Sequence, residues 1–141
     1  RSKRYNTGHE EWFEYYQLQW DVQFLKEQLY QKLQQNASLL NLSFYQNEQD
    51  THINKTVHVS TNSIVIIEGI FLLRDEWRNY YDYILFLDCP KELRYDRVLQ
   101  RDTYIGDLEA RFEKYNNRYW VAEEYYLKMQ KPYELAHMIQ P

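Results

Sequence analysis

Two short apolar runs, each closed by an acid, restrict this chain more than any other feature of its sequence. The first is Ile64-Val65-Ile66-Ile67, ending in Glu68-Gly69. The second is Tyr83-Ile84-Leu85-Phe86-Leu87, ending in Asp88. Neither alternates apolar with polar residues. An unbroken run of this kind suits a strand covered on both faces, as in a parallel sheet packed between helices. Residues 74–80 between them have helical character, so the pattern predicts a strand–helix–strand unit with a right-handed crossover. The fold class that follows is α/β.

The flanking sequence extends this reading. Pro90 opens a predicted helix reaching about Thr103, at a position where its missing N–H removes no helical bond. Asp107 is placed to cap a last helix that runs to about Lys128 and buries a stripe of Leu108, Phe112, Tyr115, Tyr119 and Ala122. Upstream, Thr7-Gly8-His9-Glu10 has the form of a capping box. The spacing of Leu18, Val22, Leu25, Leu29 and Leu33 then predicts one helix to near Gln35-Asn36. Residues 41–60 read as a hairpin or flap, split by a polar loop at 46–51. A single domain over residues 1–141 is expected, a length sufficient for a core.

Composition excludes several classes. The formal charge is −4 with no basic stripe, so nucleic acid is not an expected partner. The longest apolar runs fall far short of the roughly 18 residues of a membrane span. The mean hydropathy of −0.82 reflects Tyr, Gln and Asn as much as charge and does not signal disorder, and the 15 Tyr, 4 Trp and 6 Phe supply rings for a core. The lone Cys89 fits a reducing cytoplasm, the expected location.

Few residues stand out as candidates for chemistry. Glu68 leaves an apolar strand at the end where open α/β sheets place their ligands, and it could act on magnesium directly or through water. Its alternative role is to cap the following helix. Arg94, Arg97 and Arg101 follow at spacings of three and four and share one helix face, where guanidiniums can clamp phosphates. The alternative is a solvated basic face paired with Asp96 and Asp102. The glycines Gly8, Gly69 and Gly106 precede no lysine, so no G-x-x-x-x-G-K-[ST] phosphate loop lies in these residues. The four histidines have no metal-ligand spacing, and no G-x-S-x-G elbow occurs.

Taken in order, three stretches resemble the uridine kinase branch of the P-loop kinases. They are Ile64-Val65-Ile66-Ile67-Glu68-Gly69-Ile70-Phe71-Leu72; Asp82-Tyr83-Ile84-Leu85-Phe86-Leu87-Asp88 with the later Arg94-x-x-Arg97-x-x-x-Arg101-Asp102; and Lys131-Pro132-x-x-x-Ala136. The likeness runs from about residue 12 to the end. It implies a P-loop NTPase-like fold, a doubly wound parallel sheet with flanking helices. The strand–P-loop–helix and a catalytic carboxylate would lie upstream of Arg1. Arg1 is accordingly read as a point inside a longer protein, and these 141 residues alone are expected to show no turnover.

The resemblance also implies roles. Asp21, after Trp20, matches the acid that holds the acceptor's sugar hydroxyls, and Tyr45, in the substrate-side hairpin at 41–60, matches an aromatic that lines the base pocket. Glu68 corresponds to the catalytic, magnesium-side acid. Arg97 and Arg101 match arginines of the lid-like helical region at 91–129, facing the transferred phosphoryl group, and Arg94 on the same face is assigned to the nucleotide. ATP, Mg2+ and a small-molecule hydroxyl acceptor follow, and homo-oligomers are common in this class. The sequence departs from the family at Val22-Gln23, where His-Pro is usual, at Ile105-Gly106 in place of Arg-Gly, and at His137 in place of Asp. Pantothenate, ribosylnicotinamide or another hydroxyl acceptor therefore stays open beside a nucleoside. So does a non-catalytic relative that binds a metabolite or a protein partner.

Overall fold

The computed structural model describes residues 3–141, which gather into two compact units. One is Trp20–Tyr81; the other joins the stretch up to Gln19 with Asp82–Pro141.

In the first unit, helix α2 (Val22–Leu25) starts at Asp21, whose carboxylate accepts from the Phe24 amide at 3.0 Å. It continues through a wide π turn (Lys26–Tyr30) into α3 (Gln31–Gln34). Asn36, at φ 57°, ends the run, close to the predicted stop. Strands β1 (Leu39–Gln46) and β2 (Thr51–His58) form an antiparallel hairpin, with Leu39 opposite His58 and Gln46 opposite Thr51. Tyr30, Leu40, Phe71, Leu73 and Trp77 are buried. Trp77 stacks on Tyr30 at 5.5 Å and donates its indole N–H to the Val22 carbonyl at 3.2 Å, while the Tyr30 and Tyr81 hydroxyls meet at 2.6 Å.

Four expectations need correction. The predicted continuous N-terminal helix is broken: α1 (Glu11–Gln17) belongs to the other unit, and helix resumes only at Val22. The capping box does not form, because the Thr7 amide and hydroxyl both donate to Glu14, at 2.7 and 2.8 Å. Asp21 offers the backbone a cap of its own, which starts a new helix rather than continuing the old one. Residues 64–67 form no strand ladder among the described residues, and Ile64 and Ile66 are 92% and 85% exposed. Burial of both faces requires neighbouring strands, and none pairs with this run here. Residues 74–80 make only a short 3₁₀ turn, Arg78–Tyr80.

In the second unit, β3 (Leu85–Leu87) pairs in parallel with β4 (Met138–Gln140). Helix α4 (Lys91–Arg101) follows Pro90. Helix α5 (Leu108–Lys114) passes through a π turn (Tyr115–Tyr119) into α6 (Trp120–Gln130), and Lys131 at φ 47° separates this from α7 (Pro132–Leu135). The predicted stripe holds at Tyr115 and Ala122, which are buried, but Leu108 and Phe112 are exposed. The wide turn shifts the register of Ala122, beyond it, relative to the residues before it. Tyr115 packs instead with Val98 and Trp120.

The Asp107 cap does form: its carboxylate accepts from the Ala110 amide at 2.9 Å. Asp107→Ala is expected to cost about 1 kcal/mol of stability, read as a lower urea midpoint at unchanged slope. An unchanged midpoint would show that the helix start is held by packing instead.

Candidate functional site

The candidate residues fall on both units, and the geometry of each group is set within its own unit.

Asp21, Tyr45 and Glu68 lie in the Trp20–Tyr81 unit. Asp21 is exposed at a helix start, not inside a long helix as predicted. One carboxylate oxygen caps Phe24 and the other makes no hydrogen bond to a described residue, so it could accept from a ligand hydroxyl. Tyr45 sits in β1 opposite His52, its ring 5.3 Å from that imidazole, and its hydroxyl donates to Asp50 at 2.6 Å. A cleft of about 310 Å³ between α2 and the hairpin is lined by Phe24, Gln28, Asn41, Asn54, Lys55 and Thr56. None of the three candidates lines it.

Glu68 is exposed and has no ion pair or hydrogen bond among the described residues. The backbone just after it is unusual. Gly69 stands at φ 154° and Phe71, a buried aromatic, at φ 57°. A bulky residue in the left-handed region is disfavoured by roughly 1–3 kcal/mol and persists only where its surroundings impose it. The turn that presents Glu68 is thus a held conformation, of the kind found near ligand sites. One free carboxylate fits magnesium, which takes one or two carboxylates and fills its remaining positions with phosphate oxygens and water.

The arginine row lies in the other unit, and its members differ. Arg94 donates from Nε to the Cys89 carbonyl at 2.8 Å and from Nη1 and Nη2 to Glu123 at 2.6 and 3.1 Å, and lies 4.9 Å over the Trp120 ring. Most of its donors are engaged within the protein. Arg97 is exposed and makes no ion pair with a described residue. Arg101 donates from Nε and Nη2 to Asp102 at 2.6 and 3.2 Å. This pair is the one expected for a basic face balanced by its own acids, but Asp102 is buried rather than solvated.

Tyr115 also donates its hydroxyl to Asp102. The Arg101 hydrogen bond holds the Asp102 carboxyl below its ordinary range, against an opposing effect of burial, with further help from Tyr115. Burial first, and then the hydrogen bond to Asp102, pushes the Tyr115 phenol up.

Spacing along one helix finds the arginine row, whereas Glu123, the partner of Arg94, and Tyr115, which bonds Asp102, come from later segments and carry no local signal. Also missed is a buried pair, Arg118 with Glu14 at 3.2 Å. Among the described residues no cluster of three or more His, Cys, Asp and Glu could hold a metal, and no helix is long and apolar enough to cross a membrane.

The model of the phosphoribulokinase/uridine kinase family matches residues 2–139, and the chain belongs to that family. It is 40% identical over 68 residues to a uridine kinase of Haemophilus influenzae (strain PittEE), covering 48% of this chain and 32% of that protein. It is 30% identical over 103 residues to one from Streptococcus equi subsp. zooepidemicus (strain MGCS10565), covering 71% of this chain and 49% of that one. The chain thus spans about a third to a half of the length of these relatives. A solved structure described as a possible uridine kinase from Bacillus stearothermophilus superimposes on the whole chain with a TM-score of 0.81 and 42% identity, over 65% of its own length. The α/β fold is therefore that of uridine kinase-like P-loop kinases.

Proposed function

We propose that the protein containing this chain transfers a phosphoryl group from ATP to a hydroxyl of a small metabolite, with a nucleoside as the favoured acceptor. The observation that carries this reading is the face of α4, where Arg97 and Arg101 present guanidinium donors to solvent in a chain matched by the kinase family over nearly its whole length. In such a reaction there is little covalent work for the protein, so positioning and charge stabilisation dominate. Arg97 and Arg101 stabilise charge on the transferred group, and Arg94 contributes from the same face. Asp21 orients the acceptor through its sugar hydroxyls, and Tyr45 lines the base side. Glu68 holds Mg2+, which when bound neutralises charge on the nucleotide phosphates.

The same reading extends the fold to a doubly wound parallel sheet, in which the exposed apolar run 64–67 becomes a central strand. The exposure of Ile64, Val65 and Ile66 in succession supports this, because a contiguous exposed apolar stretch, unlike a single exposed apolar residue, marks a surface that another element covers. A soluble, cytoplasmic protein completes the picture.

One observation favours a second reading, a relative that binds metabolites without phosphorylating them: both Arg94 and Arg101 are engaged by acids of their own unit. ADP release by the complete protein, measured with Mg-ATP against uridine, cytidine and pantothenate, separates the two. Acceptor-dependent release is expected, and Glu68→Gln is expected to lower turnover by roughly 10²-fold or more. Thermal stabilisation by a metabolite but never by Mg-ATP, without ADP release, would support the binder and contradict the kinase.

A further inference from the structure

Arg101 and Asp102 are adjacent in sequence and opposite in environment. The arginine side chain is 72% exposed and the aspartate 3%. A buried carboxylate is costly unless its lone pairs are filled, and here an exposed guanidinium and a buried phenol fill them. Position follows from the end of α4. Asp102 closes that helix, its amide donating to the Val98 carbonyl at 2.9 Å, and its φ of −90° and ψ of 44° leave the helical region. That departure turns the carboxylate inward to Tyr115, which is fixed in turn by packing on Val98 and Trp120.

The way Asp102 grips the guanidinium matters as much as the grip itself. It takes the Nε edge, using Nε and one N–H of Nη2. A guanidinium carries five N–H donors, so both donors of Nη1 and one of Nη2 remain. They lie on the far edge, and Nη1 makes no hydrogen bond to a described residue. This edge is planar and suited to binding two oxygens of one phosphoryl group.

We propose that Asp102, braced by Tyr115, is a positioning residue for phosphoryl transfer: it fixes the Arg101 guanidinium with its outer edge open toward the transferred group. The inference rests on the kinase reading above. A long exposed arginine otherwise samples many rotamers, and ordering it in advance removes that entropy from the reaction step.

The test uses the complete protein, with kcat and KM measured for ATP and uridine in Asp102→Asn, Tyr115→Phe, Arg101→Ala and both double variants with Arg101→Ala. Displacing a reacting group by about 1 Å can cost on the order of 10²-fold, and a kcat loss approaching that is expected for Asp102→Asn, with KM nearly unchanged. Tyr115→Phe keeps the ring and its packing, so it guards against loss of folding in the aspartate variant; a smaller kcat loss is expected. Neither change should slow an enzyme that already lacks Arg101. A kcat retained in folded Tyr115→Phe and Asp102→Asn while Arg101→Ala is crippled would overturn the positioning role and leave the kinase intact. Further slowing in the Arg101→Ala background would overturn it too. If wild type transfers no phosphoryl group, both readings fall together.

Discussion

Replacing Arg101 with alanine in the complete protein is expected to lower kcat by about 10³-fold or more, with a far smaller change in KM for the acceptor. Arginines aimed at a transferring phosphoryl group contribute on that scale because charge spreads onto its oxygens only as the bond breaks. In the proposed role, the donors that would meet this charge are the ones Asp102 leaves open. Lysine at this position would restore the charge but not the planar edge, so Arg101→Lys is expected to recover only part of the loss. Arg94→Ala should behave differently. Its guanidinium is committed to Glu123 and the Cys89 carbonyl, so a fall in stability should accompany any fall in rate. Equal kcat losses at constant stability for Arg94 and Arg101 would remove the distinction drawn between them.

Replacing Arg118 with leucine is expected to lower stability by about 3–5 kcal/mol, the usual result of breaking a buried ion pair from one side. Arg118 is fully buried. It donates to Glu14 at 3.2 Å, to the Glu11 carbonyl at 3.1 Å and to the Arg4 carbonyl at 3.2 Å, and packs over the Tyr5 and Tyr15 rings. It therefore ties residues 4–14 to the π turn between α5 and α6. Its loss strands the Glu14 carboxylate in the interior. Replacing both residues with leucine should cost less than the arginine change alone, since no charge is then left buried.

The same pair has a pH signature. Burial alone would raise the Glu14 carboxyl, but the Thr7 amide and hydroxyl and the Arg118 guanidinium outweigh it and hold the group below its ordinary value. A depressed folded-state pKa contributes stability that is complete above the unfolded value and is lost as pH falls through the folded one. Urea midpoints should therefore decline through the acid range in wild type, and less steeply in Glu14→Gln. An equal decline in both would assign the acid sensitivity to other groups.

Local signals were legible and distant ones were not. Asp107 precedes a helical pattern by one residue and does cap it. The polar break at 46–51 is where the hairpin turns. The N-terminal helix misled because its apolar spacing ignores side-chain competition: Glu14 takes Thr7 from the predicted box, and Asp21 starts a helix of its own. The run 64–67 carries the composition of a buried strand, yet burial belongs to partner strands that no single run encodes. The arginine row was visible from its spacing, but what each arginine does depends on Glu123, 29 residues beyond Arg94, and on Tyr115, 13 beyond Asp102. Two neighbours on one face thus differ, one engaged on three sides and the other held by one edge.

The most direct test is a crystal structure of the complete protein with Mg-ADP, aluminium fluoride as a mimic of the transferred group, and uridine. The outer edge of Arg101 is expected within hydrogen-bond reach of the fluoride ligands, with Glu68 on the magnesium side and Asp102 still holding the Arg101 Nε edge. A transferred-group mimic bound with Glu68 and the arginine face both remote from it would rule out phosphoryl transfer at these residues.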